Sequence, residues 1–133
     1  MQRRGSTGPT EAEIEVLQVL WSRGPSTVRE VHETLQADRQ TSMTTTLKIL
    51  QVMLKKGLVT REEERRPHKY TPTAPEEETQ LQLLDNLIQR AFGGSARKML
   101  VQAVRGTRLS REELREIRKL IESLRKKQEG QEK

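Results

Sequence analysis

The chain has 133 residues, enough for one compact domain or for one domain with a helical extension. Hydrophobic residues make up 32% and aromatics 2%, against 33% charged residues and a net charge of +6. So little apolar material favours a partner that buries what one chain cannot, and the basic excess favours a polyanion. With no cysteine, disulfides, thiolate metal sites and a cysteine nucleophile are excluded.

The first residues, MQRRGSTGPTEAE, carry no apolar run after their basic start, and no later stretch approaches the length of a membrane span. The expectation is a cytosolic chain without a membrane partner. Four helix starts fit the capping box, in which a hydroxyl and a carboxylate three residues on satisfy each other's backbone N–H groups. They are Thr10/Glu13, Thr27/Glu30, Thr73/Glu76 and Ser110/Glu113. A first helix is predicted from Thr10 to Ser22, with Ile14, Val16, Leu17, Leu20 and Trp21 inward and Gly24-Pro25 as its stop. A second runs from Thr27 to Gln36 on Val28, Val31 and Leu35, and residues 37–40 connect it to a third. That third helix spans Ser42 to Lys56 and ends at Gly57.

The period then changes from that of a helix to that of strands. Leu58–Glu62 and His68–Pro72 are predicted strands around the charged tip Glu63-Glu64-Arg65-Arg66-Pro67. Three helices closed by a β-hairpin is the order of a winged helix, so the fold class is mainly α, of the α+β winged-helix type. Beyond it the chain reads as helical: Ala74–Phe92, a break at Gly93-Gly94, Ser95–Arg105, and a last helix from Ser110 to about 128. The predicted organisation is a tail at 1–9, a winged-helix domain at 10–73, a helical domain at 74–128 and a tail at 129–133. Leu84, Leu87, Ile88, Met99, Leu114, Ile117, Ile121 and Leu124 are the candidate dimer interface. On the last helix these apolar residues form a narrow seam flanked by charge, as in helices that pair with a partner. A helix packed on its own domain is the other reading of that seam.

The third helix carries the functional signal. Met43, Leu47, Leu50 and Leu54 follow core spacing, which turns Thr44, Thr45, Lys48, Gln51 or Val52, and Lys55 outward. A recognition helix presents its N-terminal residues to base edges in the major groove, where short hydroxyl side chains approach closely. Three consecutive β-branched threonines are a poor choice for helix stability alone, although they also suit a helix start. At the hairpin, Arg65, Arg66 and Lys69 are candidates for phosphate or minor-groove contact; a solvated charged hairpin is the alternative. From Arg39 to Lys69 eight Lys or Arg face three Glu, so most of the excess charge lies here.

These residues resemble a known family. MTTTLKILQVMLKKGLV followed by HKYTP, with EIEVLQVLW, TVREV and FGGSARKML, is similar to the penicillinase-repressor (BlaI/MecI) family of winged-helix regulators. The resemblance implies a homodimer held by the last three helices on a palindromic double-stranded operator. It places DNA contacts on Ser42, Thr44, Thr45 and Lys48. It departs from the family where an Asn-Phe bond is cleaved on induction, the matching positions here being Gln102-Ala103. It also lacks the cysteine cluster of copper-responsive relatives, so the inducing signal and any upstream sensor stay open.

His32 and His68 lack ligand spacing, so no metal is expected, and Trp21 reads as a core or interface anchor. No phosphate loop or nucleophile with its base is visible, so neither a cofactor nor enzyme activity is expected. The competing readings are a winged helix used for protein interaction and an architectural DNA binder without sequence preference.

Overall fold

The computed structural model describes residues 8–36 and 41–131. Three helices come first: α1 (Glu11–Arg23), α2 (Val28–Leu35) and α3 (Met43–Lys56). The expected caps start the first two. The Thr10 hydroxyl accepts from the Glu13 N–H at 3.2 Å while the Glu13 carboxylate accepts from the Thr10 N–H at 2.9 Å, and Thr27 and Glu30 repeat the arrangement. Ser42 caps α3 by accepting from the Thr45 N–H. Gly57 ends α3 in the left-handed region, at φ 82°, where a side chain would strain the turn into the first strand. The predicted link at 37–40, the tail at 1–7 and the last two residues lie outside the described residues.

The hairpin consists of β1 (Val59–Arg61) and β2 (Tyr70–Pro72), antiparallel, with Thr60 opposite Thr71. These strands are shorter than predicted, although the Glu62 N–H to Lys69 carbonyl and Thr73 N–H to Leu58 carbonyl bonds prolong the pairing at each end. An isolated bridge that no sequence pattern marks joins the hairpin to the turn before α2: Ser26 pairs with Tyr70, N–H to carbonyl in both directions, at 3.2 and 2.8 Å. Three helices and this small sheet form the winged helix.

Val16, Leu17, Val19, Leu20, Val31, Leu50, Met53, Val59 and Tyr70 make its core. Ile14 and Trp21, expected inside with the α1 stripe, are only half-buried. Trp21 packs against the core and donates its indole N–H to the Ala74 carbonyl at 3.2 Å, pinning the strand exit. In α3 the buried residues are Thr46, Leu50 and Met53. Met43 and Leu47, expected inside, are exposed, and Leu54 is half-buried, so the inward face is rotated from the one the leucines predict. Thr46 is buried without penalty because its hydroxyl is satisfied, by His32 Nδ1 at 3.2 Å and the Ser42 carbonyl at 3.4 Å.

The rest of the chain is α4 (Glu76–Ala91), α5 (Ala96–Gly106) and α6 (Arg111–Gln131). The Thr73 capping box does not form. The Thr73 N–H is committed to the hairpin, and α4 starts two residues after the expected position behind Pro75, with Glu76, Glu77 and Glu78 in its first turn. Ser95 caps α5, and the Ser110/Glu113 box forms with bonds of 2.9 and 3.0 Å. Helix α6 runs to Gln131, through part of the predicted tail. The division between two compact units falls inside α4, between Asp85 and Asn86. Thr79, buried on its first turns, belongs to the first unit. Among the described residues no helix is long and apolar enough to cross a membrane.

Candidate nucleic-acid interface

Burying Thr46, Leu50 and Met53 leaves the opposite side of α3 open. Thr44, Lys48, Gln51 and Lys55 recur at spacings of four, three and four, which stacks them on one helix face. All four are exposed. Lys48 and Lys55 form no ion pair among the described residues, so both ammonium groups are available to an outside anion. Lys56, one residue on, is committed elsewhere: its Nζ lies 2.8 Å from the buried carboxylate of Glu13, tying the end of α3 to the start of α1. Ser42 and Thr45 are exposed, but their hydroxyls lie 3.0 Å apart and bond each other, while the Thr44 hydroxyl has no partner among the described residues.

The hairpin tip is stiffened by its own charges. Arg61 donates from Nε and Nη2 to the Glu63 carboxylate, both at 3.1 Å, and the His68 ring bonds the Glu62 carbonyl at 2.9 Å. The Tyr70 hydroxyl first, and then Glu63, raise the already high pKa of Arg61. Arg65 sits 3.6 Å from Glu62 in an exposed, weak pair. Arg66 has no partner among the described residues. Lys69 is exposed and near Glu30; the Glu30 carboxyl is held below its usual range chiefly by the Thr27 backbone N–H, with help from Arg23 and Lys69.

Between α3 and the hairpin lies a cleft of about 340 Å³. Met43 and Leu47 form one wall, Val28 and Arg29 of α2 the end, and Arg61, Pro67 and His68 the hairpin side. No group of three or more His, Asp or Glu able to hold a metal occurs among the described residues.

The sequence profile of the family described as "Penicillinase repressor" matches residues 9–123. The chain belongs to the penicillinase-repressor family. Among its relatives, "Transcriptional regulator BlaI" of Mycobacterium tuberculosis is 40% identical over 96 residues, covering 71% of this chain and 70% of that protein. The "Penicillinase repressor" of Bacillus licheniformis is 26% identical over 113 residues, covering 85% and 88%. A solution structure of the Bacillus licheniformis BlaI monomeric form in complex with the blaP half-operator aligns with TM-score 0.46 and 30% identity, covering 52% of this chain and 84% of that chain.

Penicillinase repressors are transcriptional repressors and not enzymes, in line with the lack of any catalytic constellation in the sequence. Of the eight residues that the sequence nominates for DNA contact, Ser42, Thr44, Thr45, Lys48 and Lys55 belong to α3 or its cap, whereas Arg65, Arg66 and Lys69 belong to the hairpin; all are exposed. The sequence leaves Gln51 and Val52 as alternatives for the outer face; the burial of Thr46, Leu50 and Met53 puts Gln51 on the open stripe. Nothing in the sequence marks Arg29, which lines the cleft. No periodicity marks an arginine at a helix start as facing a cleft that a distant hairpin closes. Gln102 and Ala103 are exposed on α5.

Proposed function

We propose that the chain is a cytoplasmic, sequence-specific repressor that binds a palindromic operator as a homodimer. The observation that carries this reading is α3 itself. One face is locked in the core by Leu50 and Met53, and the other presents Thr44, Lys48, Gln51 and Lys55 with two uncommitted cations. Thr44 and Gln51 supply hydrogen bonds and a methyl for base edges, and the lysines supply phosphate contacts. The hairpin adds Arg66, with Arg65 and Lys69, to a phosphate or the minor groove beside the site. Two such units on one duplex would set half-sites about one helical turn apart. A bound dimer over a promoter excludes polymerase.

The dimer reading rests on uncovered apolar side chains. Leu114, Ile117, Ile121 and Leu124 are 37–57% exposed, α6 buries none of its residues, and Leu84 and Leu87 of α4 are open as well. Met99 is half-buried, and Ile88 is already covered within its own chain, so each offers a partner less area. Exposed apolar rows of this extent mark protein contacts.

Selection of bound duplexes from fragmented genomic DNA tests the proposal. The expected result is a two-fold symmetric motif, with Thr44→Ala relaxing base preference at one position of each half-site. Equal retention of random and genomic duplex would point to an architectural binder. No retention of duplex at all would point to a protein-interaction module.

A further inference from the structure

We infer that the cleft between α3 and the hairpin is a binding site for a small aromatic monocarboxylate, and that its occupant competes with DNA. The volume, about 340 Å³, lies at the lower end of the roughly 300–1,000 Å³ typical of small-ligand pockets. Met43 and Leu47 are 37% and 36% exposed although their spacing is that of a buried stripe, and together with Val28 and Pro67 they give the cleft an apolar wall. Such a surface suits the face of a single ring.

The charges around the cleft select one anionic group. The Glu63 carboxylate already binds Arg61 through two N–H bonds, which offsets its charge. Arg29 forms no ion pair among the described residues, so it is the uncompensated cation of the lining. Its planar fork fits a carboxylate. His68 must donate from Nδ1, because its partner there is the Glu62 carbonyl, which only accepts. On a neutral ring Nε2 is then an acceptor, which takes no bond from a carboxylate, so the anion falls to Arg29. One free cation with an apolar wall fits a monoanion with a ring, rather than a phosphate ester.

Competition rests on the DNA-binding reading above. The cleft is lined by the helix that would enter the groove and by the hairpin that would flank it. A carboxylate on Arg29 removes a cation and sets a negative charge beside the phosphate backbone.

The chain has four methionines, at positions 1, 43, 53 and 99. Carbon-13 methyl labelling of the full-length protein therefore puts a reporter, Met43, in the cleft wall and a control, Met53, in the core. Titration with phenylacetate should shift Met43 saturably and leave Met53 and Met99 in place. The neutral phenylacetamide, and phenylacetate on R29A, should each bind at least about tenfold more weakly, a difference of roughly 1.4 kcal/mol. Operator affinity should fall as the cleft fills. An unmoved Met43 at about 10 mM phenylacetate, near the weak limit of specific binding, overturns the site. So does an equal shift with phenylacetamide or inorganic phosphate, or unchanged affinity in R29A. A saturable Met43 shift that leaves operator affinity intact overturns the competition. Failure to select any duplex would instead strike the repressor reading, because the Met43 titration needs no DNA.

Discussion

Glu13 does two things with one carboxylate. Its Oε1 accepts the Thr10 N–H at 2.9 Å and the Lys56 ammonium at 2.8 Å, with the Glu13 side chain only 5% exposed and that of Lys56 24%. A cap that would be worth about 1 kcal/mol on a free helix thereby also fastens the first helix to the end of α3. Glu13→Ala removes both bonds and leaves a largely covered ammonium without its anion. The expected loss is about 2–4 kcal/mol, below the full range for a buried pair because Lys56 keeps some water. Glu13→Gln keeps an acceptor for the Thr10 N–H and should cost clearly less. Urea unfolding of both variants measures the two steps; a Glu13→Gln variant as stable as the parent would show that the charge adds nothing beyond the cap. The cap was legible, since a hydroxyl followed three residues later by a carboxylate is a local pattern. The ion pair was not, because 43 residues separate its partners. The same limit hid the bond between His32 and Thr46, which makes a threonine at home in the core.

At the scale of elements, the order of three helices, hairpin and three further helices could be read from caps, glycines and the change of period. The orientation of α3 could not. Met43, Leu47, Leu50 and Leu54 form a regular stripe, yet at 100° per residue the buried set Thr46, Leu50 and Met53 is turned from it by roughly 60°. Hydrophobicity alone assigns leucine inward and threonine outward, and misses that a satisfied hydroxyl packs like a small apolar group. The rotation has a functional side. It centres Thr44, Lys48, Gln51 and Lys55 on the open face and swings Met43 and Leu47 toward the hairpin. If that face meets phosphates, Lys48→Ala should flatten the plot of log affinity against log salt by about one unit. Arg66→Ala should flatten it by the same amount from the hairpin side. Mobility shifts at four salt concentrations read both slopes. An unchanged slope in either variant takes that residue out of the interface, and unchanged slopes in both detach the whole surface from DNA.

Across the whole molecule apolar residues are scarce, 32% against 33% charged. The winged helix spends its share on a core of its own, whereas α6 buries nothing and leaves Leu114, Ile117, Ile121 and Leu124 in a row. Arg115, Lys119 and Lys126 fall on the side of α6 away from that row. A helix so divided is stable in water only if something covers the apolar half, and a second copy of the same helix has the matching row. Two lysines in the seam, Ile117→Lys with Leu124→Lys, would set four charges facing one another across a two-fold contact. Sedimentation should then report the monomer mass, while Lys119→Ala with Lys126→Ala on the far side leaves the dimer unchanged. A monomer binds the two half-sites of an operator independently and loses the effective-concentration gain, so full-operator affinity should drop by about 10²–10⁴-fold. Affinity for an isolated half-site should hardly move, since the winged helix keeps its own core. A seam variant that still sediments as a dimer would place the contact on other residues. One that loses half-site binding as well would show that α6 supports the reading head directly, rather than by bringing two of them together.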